Sequence, residues 1–114
     1  MEPITMMIMT LVMINGTVDE EATIRAAFYT EWENTEYEFN YWLKPPSLFE
    51  LTRKGDCTDV AYAVQRKMFK QNITTRRMYG MAECNGKRSL HDWLIWNNTD
   101  IDGGCKNFER GATI

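Results

Sequence analysis

Three kinds of side chain in this chain could together open an amide bond: the thiol of Cys57, the imidazole of the single histidine, His91, and a carboxylate from Asp100 or Asp102. A thiolate is the attacking form of cysteine, and a helix N-terminus or a nearby imidazolium lowers a thiol's pKa. The imidazole takes up and returns the proton, while a third group, carboxylate or amide, fixes its orientation and tautomer. Cys57 follows Gly55-Asp56 and opens the stretch "CTDVAYAVQRKMFK", in which Val60, Ala61, Val64 and Met68 recur at helical spacing. It lies one turn before Ala61, so its thiol is expected to face inward from the start of a helix that stops near Asn72. Each residue alone has an ordinary structural use: a small core residue, a structural histidine in a strand, an Asp in a turn.

Other elements must bring these groups together. Thr17 with Glu20 forms a capping-box pattern ahead of Ile24, Ala27, Phe28 and Trp32, which predicts a helix over about 18–32. Tyr37, Phe39 and Tyr41 alternate with polar residues, as in a half-buried extended segment ended by Pro45-Pro46. Ser47 with Glu50 repeats the capping-box pattern and predicts a short helix to about Arg53. After the Cys57 helix the period becomes two. Residues 73–84 and 89–96 read as strands joined by an Asn85-Gly86 hairpin turn, with a third strand from about 99 after an Asn97-Asn98 turn. Residues 3–14 are apolar and fit strand or helix, and the tail "GGCKNFERGATI" reads as turn-rich and frayed. The expected class is α+β: helices first, then an antiparallel meander packed on the Cys57 helix, in a single domain over 1–114.

The same register selects the third group. A turn centred on Asn97-Asn98 sets Trp93 opposite Asp102 and His91 opposite Gly104. Asp102 is then the diagonal neighbour of His91, about 7 Å away between backbones. Asp100 is one step further along the same face. Asp102 is therefore the chosen partner, with Asp100, the Asn98 amide or a bare Cys57–His91 dyad as the alternatives.

Composition narrows the function classes. The 114 residues carry a net charge of −3, with 44% hydrophobic and 25% charged residues, as in an ordinary globular domain. An acidic chain is a poor partner for nucleic acid. Three cysteines are too few and odd in number for a disulfide scaffold; one pair plus one free thiol is an open alternative, with Cys84 and Cys105 as the pair. There is no C-x-x-C and only one histidine, so no metal or other cofactor is expected. The apolar run Ile4–Ile14 is too short to span a membrane and lacks signal-peptide features, which predicts a cytoplasmic protein without a membrane partner.

These residues, in this order, resemble the transglutaminase-like superfamily, the papain-related cysteine enzymes in which Cys, His and Asp follow one another along the chain. The resemblance spans residues 22–102 and rests on four features. They are the aromatic segment "TEYEFNYW", a G-D-C-x-D-x-A signature at Gly55–Ala61, a G-I-x-x-R-x-x-x-G-like strand at Asn72–Gly80, and H-x-W at His91–Trp93. Asn72 stands in place of the first glycine, and the Asp candidates fall closer to the histidine than is usual. The resemblance implies a minimal transglutaminase-like fold, with Cys57 as nucleophile, His91 as general base and acid, and Asp102 as the orienting group. The oxyanion would be held by the Cys57 N–H and a side-chain donor, for which Trp32, Tyr41 and Trp42 are candidates, although each is also a natural core aromatic.

The implied activity is cysteine-dependent acyl transfer at an amide of a protein or peptide substrate, through a thioester. Hydrolysis is the expected outcome, because a shallow site excludes water poorly. Cleavage of cell-wall peptide, as by the pseudomurein endoisopeptidases of that superfamily, is one version. A non-catalytic peptide-binding module and a structural domain with Cys57 oxidised are the alternatives, and the sequence leaves the oligomeric state open.

Overall fold

The computed structural model of the chain describes residues 11–39 and 44–114. Near its start, Asn15 (φ 52°) and Gly16 (φ 76°) make a left-handed turn between strands β1 (Met13–Ile14) and β2 (Thr17–Val18). Thr17 is therefore a strand residue, not a helix cap. Helix α1 (Glu20–Glu33) is capped instead by Asp19, whose carboxylate accepts from Ala22 N at 2.9 Å. One face of α1 buries Ile24, Ala27 and Phe28.

The expected aromatic strand is reduced to β3 (Glu36–Tyr37), which pairs in parallel with β4 (Lys54–Gly55). Tyr37 and Phe39 point outward and are exposed, so this segment is not half-buried by its aromatics. Tyr41 and Trp42 lie outside the described residues, as does most of the 3–14 run. Helix α2 (Pro46–Thr52) starts from Pro45 with no side-chain cap, which corrects the Ser47–Glu50 capping box; Pro46 at the first helical turn loses no needed N–H. Arg53 (φ 54°) ends it.

Helix α3 (Cys57–Lys70) begins with a true capping box. The Asp56 carboxylate accepts from Thr58 N at 3.1 Å and Asp59 N at 3.4 Å, while Asp59 Oδ2 accepts from Asp56 N at 3.0 Å. A Cβ on Gly55 would lie 2.6 Å from that Asp59 oxygen and 2.8 Å from the Phe49 ring, so only glycine fits before this cap. Asn72 (φ 62°) follows the last turn, as the sequence predicts.

Four strands make the main sheet, in the order β7-β6-β5-β8: β5 (Arg76–Cys84), β6 (Lys87–Trp96), β7 (Thr99–Ile101) and β8 (Cys105–Thr113). All neighbours are antiparallel. The Asn85-Gly86 and Asn97-Asn98 turns both form with positive φ. The tail is not frayed. It forms β8, which leaves the β7 edge, crosses to the far side of the sheet and pairs with β5, so the strands are not a simple meander. Residues 102–104 carry this crossing and curl the sheet around one face. Leu94 and Ile101 face α1 and α3 in one core; Met78, Ala82, Trp93 and Ile95 pack with Phe108 in a second core on the curled face. The class is α+β, with three helices among the described residues.

Candidate active site

The β6–β7 register is the one that an Asn97-Asn98 turn dictates: Leu94 opposite Ile101, Ile95 opposite Asp100, Trp96 opposite Thr99. His91 projects from β6 onto the curled face, its ring stacked near Trp93 with centroids 6.2 Å apart and an interplanar angle of 17°. Just past β7, Asp102 turns back to it. His91 Nε2 lies 2.6 Å from Asp102 Oδ2, and both residues are buried, at 7% and 3% exposure. Trp32 of α1 donates its indole N–H to the other carboxylate oxygen at 3.3 Å. Asp100 does not join them. It accepts from Trp93 Nε1 at 2.9 Å and from Arg110 Nε at 2.9 Å, which fastens β7 to β8.

Cys57 comes to the same histidine from the start of α3. Its thiol is free and half-buried, and the disulfide among the described residues joins Cys84 to Cys105 instead. It shares the wall of one cavity with the His91 ring and helps to raise that ring's pKa. The next residue touches β6, through a 2.6 Å bond from Thr58 Oγ1 to Asp92 Oδ2. That bond fastens the helix start, one residue after Cys57, to the strand residue that follows His91. Asp92 is buried, with its other oxygen, Oδ1, lacking a partner, and burial pushes its carboxyl up.

The His91 pKa reflects these contacts. Burial alone pulls an imidazole down, because the charged form is desolvated. The Asp102 hydrogen bond, with the nearby Cys57, outweighs burial and raises the ring to about 9. Tyr37 overlooks the site. Partial burial raises its phenol, and the charges of Cys57 and Asp56 raise it further.

Cys57, His91 and Asp102 line one cavity of about 670 Å³ that opens to solvent. Tyr29 (67% exposed), Tyr37 (65%) and Leu90 (59%) stand on its rim, so the approach to the thiol is apolar and aromatic. Cys84 and Cys105 also line it and are joined in a disulfide. Cys105 Sγ lies 3.4 Å from His91 Nε2.

The structure thus brings Cys57, His91 and Asp102 to one place. It gives Trp32 a different use from the donor role suggested for it, since its N–H is already engaged by Asp102. The Asp102–Trp32 bond joins residues 70 positions apart, and no local pattern signals such a pair. The adjacency of the disulfide to His91 is equally invisible along the chain, because it depends on the crossing of residues 102–104. No family model matches the chain, and neither does any curated protein.

Proposed function

We propose that the protein is a cysteine-dependent acyl-transfer enzyme of transglutaminase-like type that hydrolyses an amide bond, peptide or isopeptide, through a thioester. One observation carries this reading: a single buried imidazole is bonded to a buried carboxylate and lines one open cavity with a free thiol at a helix start. Neither a core cysteine nor a structural histidine needs that combination.

In this reading His91 takes the proton of Cys57, which attacks as the thiolate. Attack on the amide carbonyl forms a tetrahedral oxyanion. The backbone N–H of Cys57, at the first helical position, has no acceptor within the helix and is available to that oxygen. The Thr58 and Asp59 N–H groups are taken by Asp56 and are not. His91 then gives its proton to the departing amine, and, once neutral, takes a proton from the water that opens the thioester. Asp102 holds the ring's tautomer and orientation, and Trp32 holds Asp102. The apolar rim of Tyr29, Tyr37 and Leu90 suits a peptide substrate.

Among the described residues no helix is long and apolar enough to cross a membrane. The Cys84–Cys105 disulfide favours an oxidising compartment over the cytoplasm expected from the sequence.

The direct test is trapping the acyl-enzyme. The protein is mixed with an activated aryl ester, and the acyl mass is located by peptide mass spectrometry. Acylation is expected on Cys57, to be removed by hydroxylamine, and to slow at least a hundredfold in His91→Ala. Acylation of Cys57 at the same rate in His91→Ala would leave the same cavity as a peptide-binding module without turnover.

A further inference from the structure

His91 belongs to a second cluster that the proposed reaction does not use. Cys84 and Cys105 are directly opposite each other on β5 and β8, with Cα atoms 4.2 Å apart. Both sulfurs and a nitrogen of His91 lie within 4.8 Å of one another, and Cys105 Sγ is 3.4 Å from Nε2. A tetrahedral zinc ion with ordinary Zn–S and Zn–N bonds sets its sulfur and nitrogen ligands about 3.5 Å apart and two sulfurs about 3.8 Å apart. The Cys105–Nε2 spacing already matches. Cys84 must swing away from Cys105 and toward the ring, and Asp102 must give up its place on Nε2; the disulfide is what holds the two sulfurs together.

We propose that, once the Cys84–Cys105 disulfide is reduced, Cys84, Cys105 and His91 bind one zinc-class divalent cation, with a cavity water as the fourth ligand. Reduction by a dithiol moves two electrons and two protons to the disulfide; the dithiol becomes a disulfide in turn. The cation then replaces the two thiol protons and takes the Nε2 lone pair, and those protons, with the one carried by Nε2, pass to solvent. Two thiolates and an imidazole are a donor set preferred by zinc over magnesium or calcium. All three residues line the cavity, which opens to solvent, so a water can complete the coordination. Metal at Nε2 breaks the Asp102 bond and occupies the ring that the proposed reaction needs. The disulfide therefore keeps His91 free, and its reduction makes His91 a ligand. The binding inference stands on donor spacing alone and does not depend on whether Cys57 is catalytic.

The test uses the full chain. It is reduced with a dithiol, desalted without oxygen, and titrated with Co²⁺ as a spectroscopic stand-in for Zn²⁺. The reduced protein is expected to bind one equivalent, with the visible absorption of a tetrahedral site and sulfur-to-cobalt charge transfer; the oxidised protein should show neither. Cys84→Ser should abolish the spectrum, His91→Ala should weaken binding at least tenfold, and Cys57→Ser should leave it unchanged. Thermal melts cover the case in which the reduced apo-protein is poorly folded. Binding then couples to folding, and Zn²⁺ should raise the melting temperature of the reduced wild type but not of the Cys84→Ser/Cys105→Ser variant. The proposal is overturned by any of three results: reduced protein that shows neither the spectrum nor the thermal shift, equal affinity in His91→Ala, or loss of the spectrum in Cys57→Ser.

Discussion

Asp102 Oδ2 lies 2.6 Å from His91 Nε2, while its neighbour in sequence by two, Asp100, is bound to Trp93 and Arg110 instead. Asp100 lies on β7 and Asp102 just past its end, so the difference between them is one step of register. Trp32 supports the nearer one from α1, which ties the orientation of the imidazole to the packing of the first helix.

The two aspartates should therefore separate in mutation. On any ester or amide that Cys57 turns over, Asp102→Ala is expected to lower kcat by about 10³–10⁴, the loss seen when an imidazole is left in the wrong tautomer. Asp100→Ala should change kcat by less than about tenfold and instead cost about 1–3 kcal/mol of stability, since it strands the Trp93 N–H and loosens Arg110. Steady-state kinetics and denaturant melts on both variants check this. Equal kinetic losses would mean that Asp102 has no special hold on His91.

Trp32→Phe isolates the support behind Asp102. It keeps the ring and removes the N–H, so kcat should fall about tenfold, the equivalent of one hydrogen bond to a charged acceptor. The same bond should be worthless once its acceptor is gone. In an Asp102→Ala background, Trp32→Phe should then change kcat little, and a double-mutant cycle reads the difference. Additive effects would make Trp32 merely a packing residue.

The stability of the oxidised protein should fall with rising pH through the titration of His91. Its folded-state pKa is raised from 6.5 to about 9. The folded protein thus holds this proton more tightly than the unfolded chain does. The stabilisation is complete below about pH 6.5 and is lost as pH rises through about 9. Melting temperatures measured across that window should decline for the wild type and decline less for His91→Gln. A parallel decline in both would assign the slope to other groups.

Much of this geometry was legible along the chain where the signals are local. The Cys57 helix, its stop at Asn72, both Asn-containing hairpin turns and the β6–β7 register follow from apolar period and turn chemistry. The caps of α1 and α2 were misread. In the first case Thr17 is drawn into a hairpin with Ile14, leaving Asp19 as cap; in the second, Pro45-Pro46 starts the helix without a side-chain bond. The tail was misread because Gly103, Gly104 and Gly111 suggest turns, whereas its pairing partner, β5, lies more than twenty residues upstream. The disulfide wall and the Trp32 support depend on that same long-range closure.

The capping box predicts a stability effect that spares chemistry. Asp56 and Asp59 bind each other's backbone N–H, and Asp59 also accepts from Lys44 N at 3.3 Å. Asp59→Asn keeps one acceptor oxygen but loses the charge beside the helix N-terminus, for a cost of about 0.5–2 kcal/mol. Activity below the melting transition should remain within a few fold of wild type. Abolished turnover with an unchanged melting temperature would instead place Asp59 in the chemistry.

Gly80 carries the last prediction. It sits mid-strand on β5, opposite His91 on β6 and Arg110 on β8, beside an irregularity in the β5–β8 pairing. A Cβ there would overlap the Glu109 carbonyl oxygen, lie 2.8 Å from Gly111 N and come within 3.0 Å of the Trp93 ring. Two of those three neighbours are backbone and cannot swing away. Gly80→Ala must therefore push β8 outward, which pulls Phe108 from Trp93 and shifts Arg110 from Asp100. The expected cost is about 2–4 kcal/mol, larger than a propensity change alone would give and in the range of an overpacked core. Activity should fall with it, because Trp93 backs the His91 ring. Gly86→Ala is the control: nothing lies within 4 Å of a Cβ there, so its cost is limited to the positive φ. Denaturant melts should rank Gly80→Ala well below Gly86→Ala in stability. The reverse order would show that β8 yields to the extra methyl and does not constrain the histidine's wall.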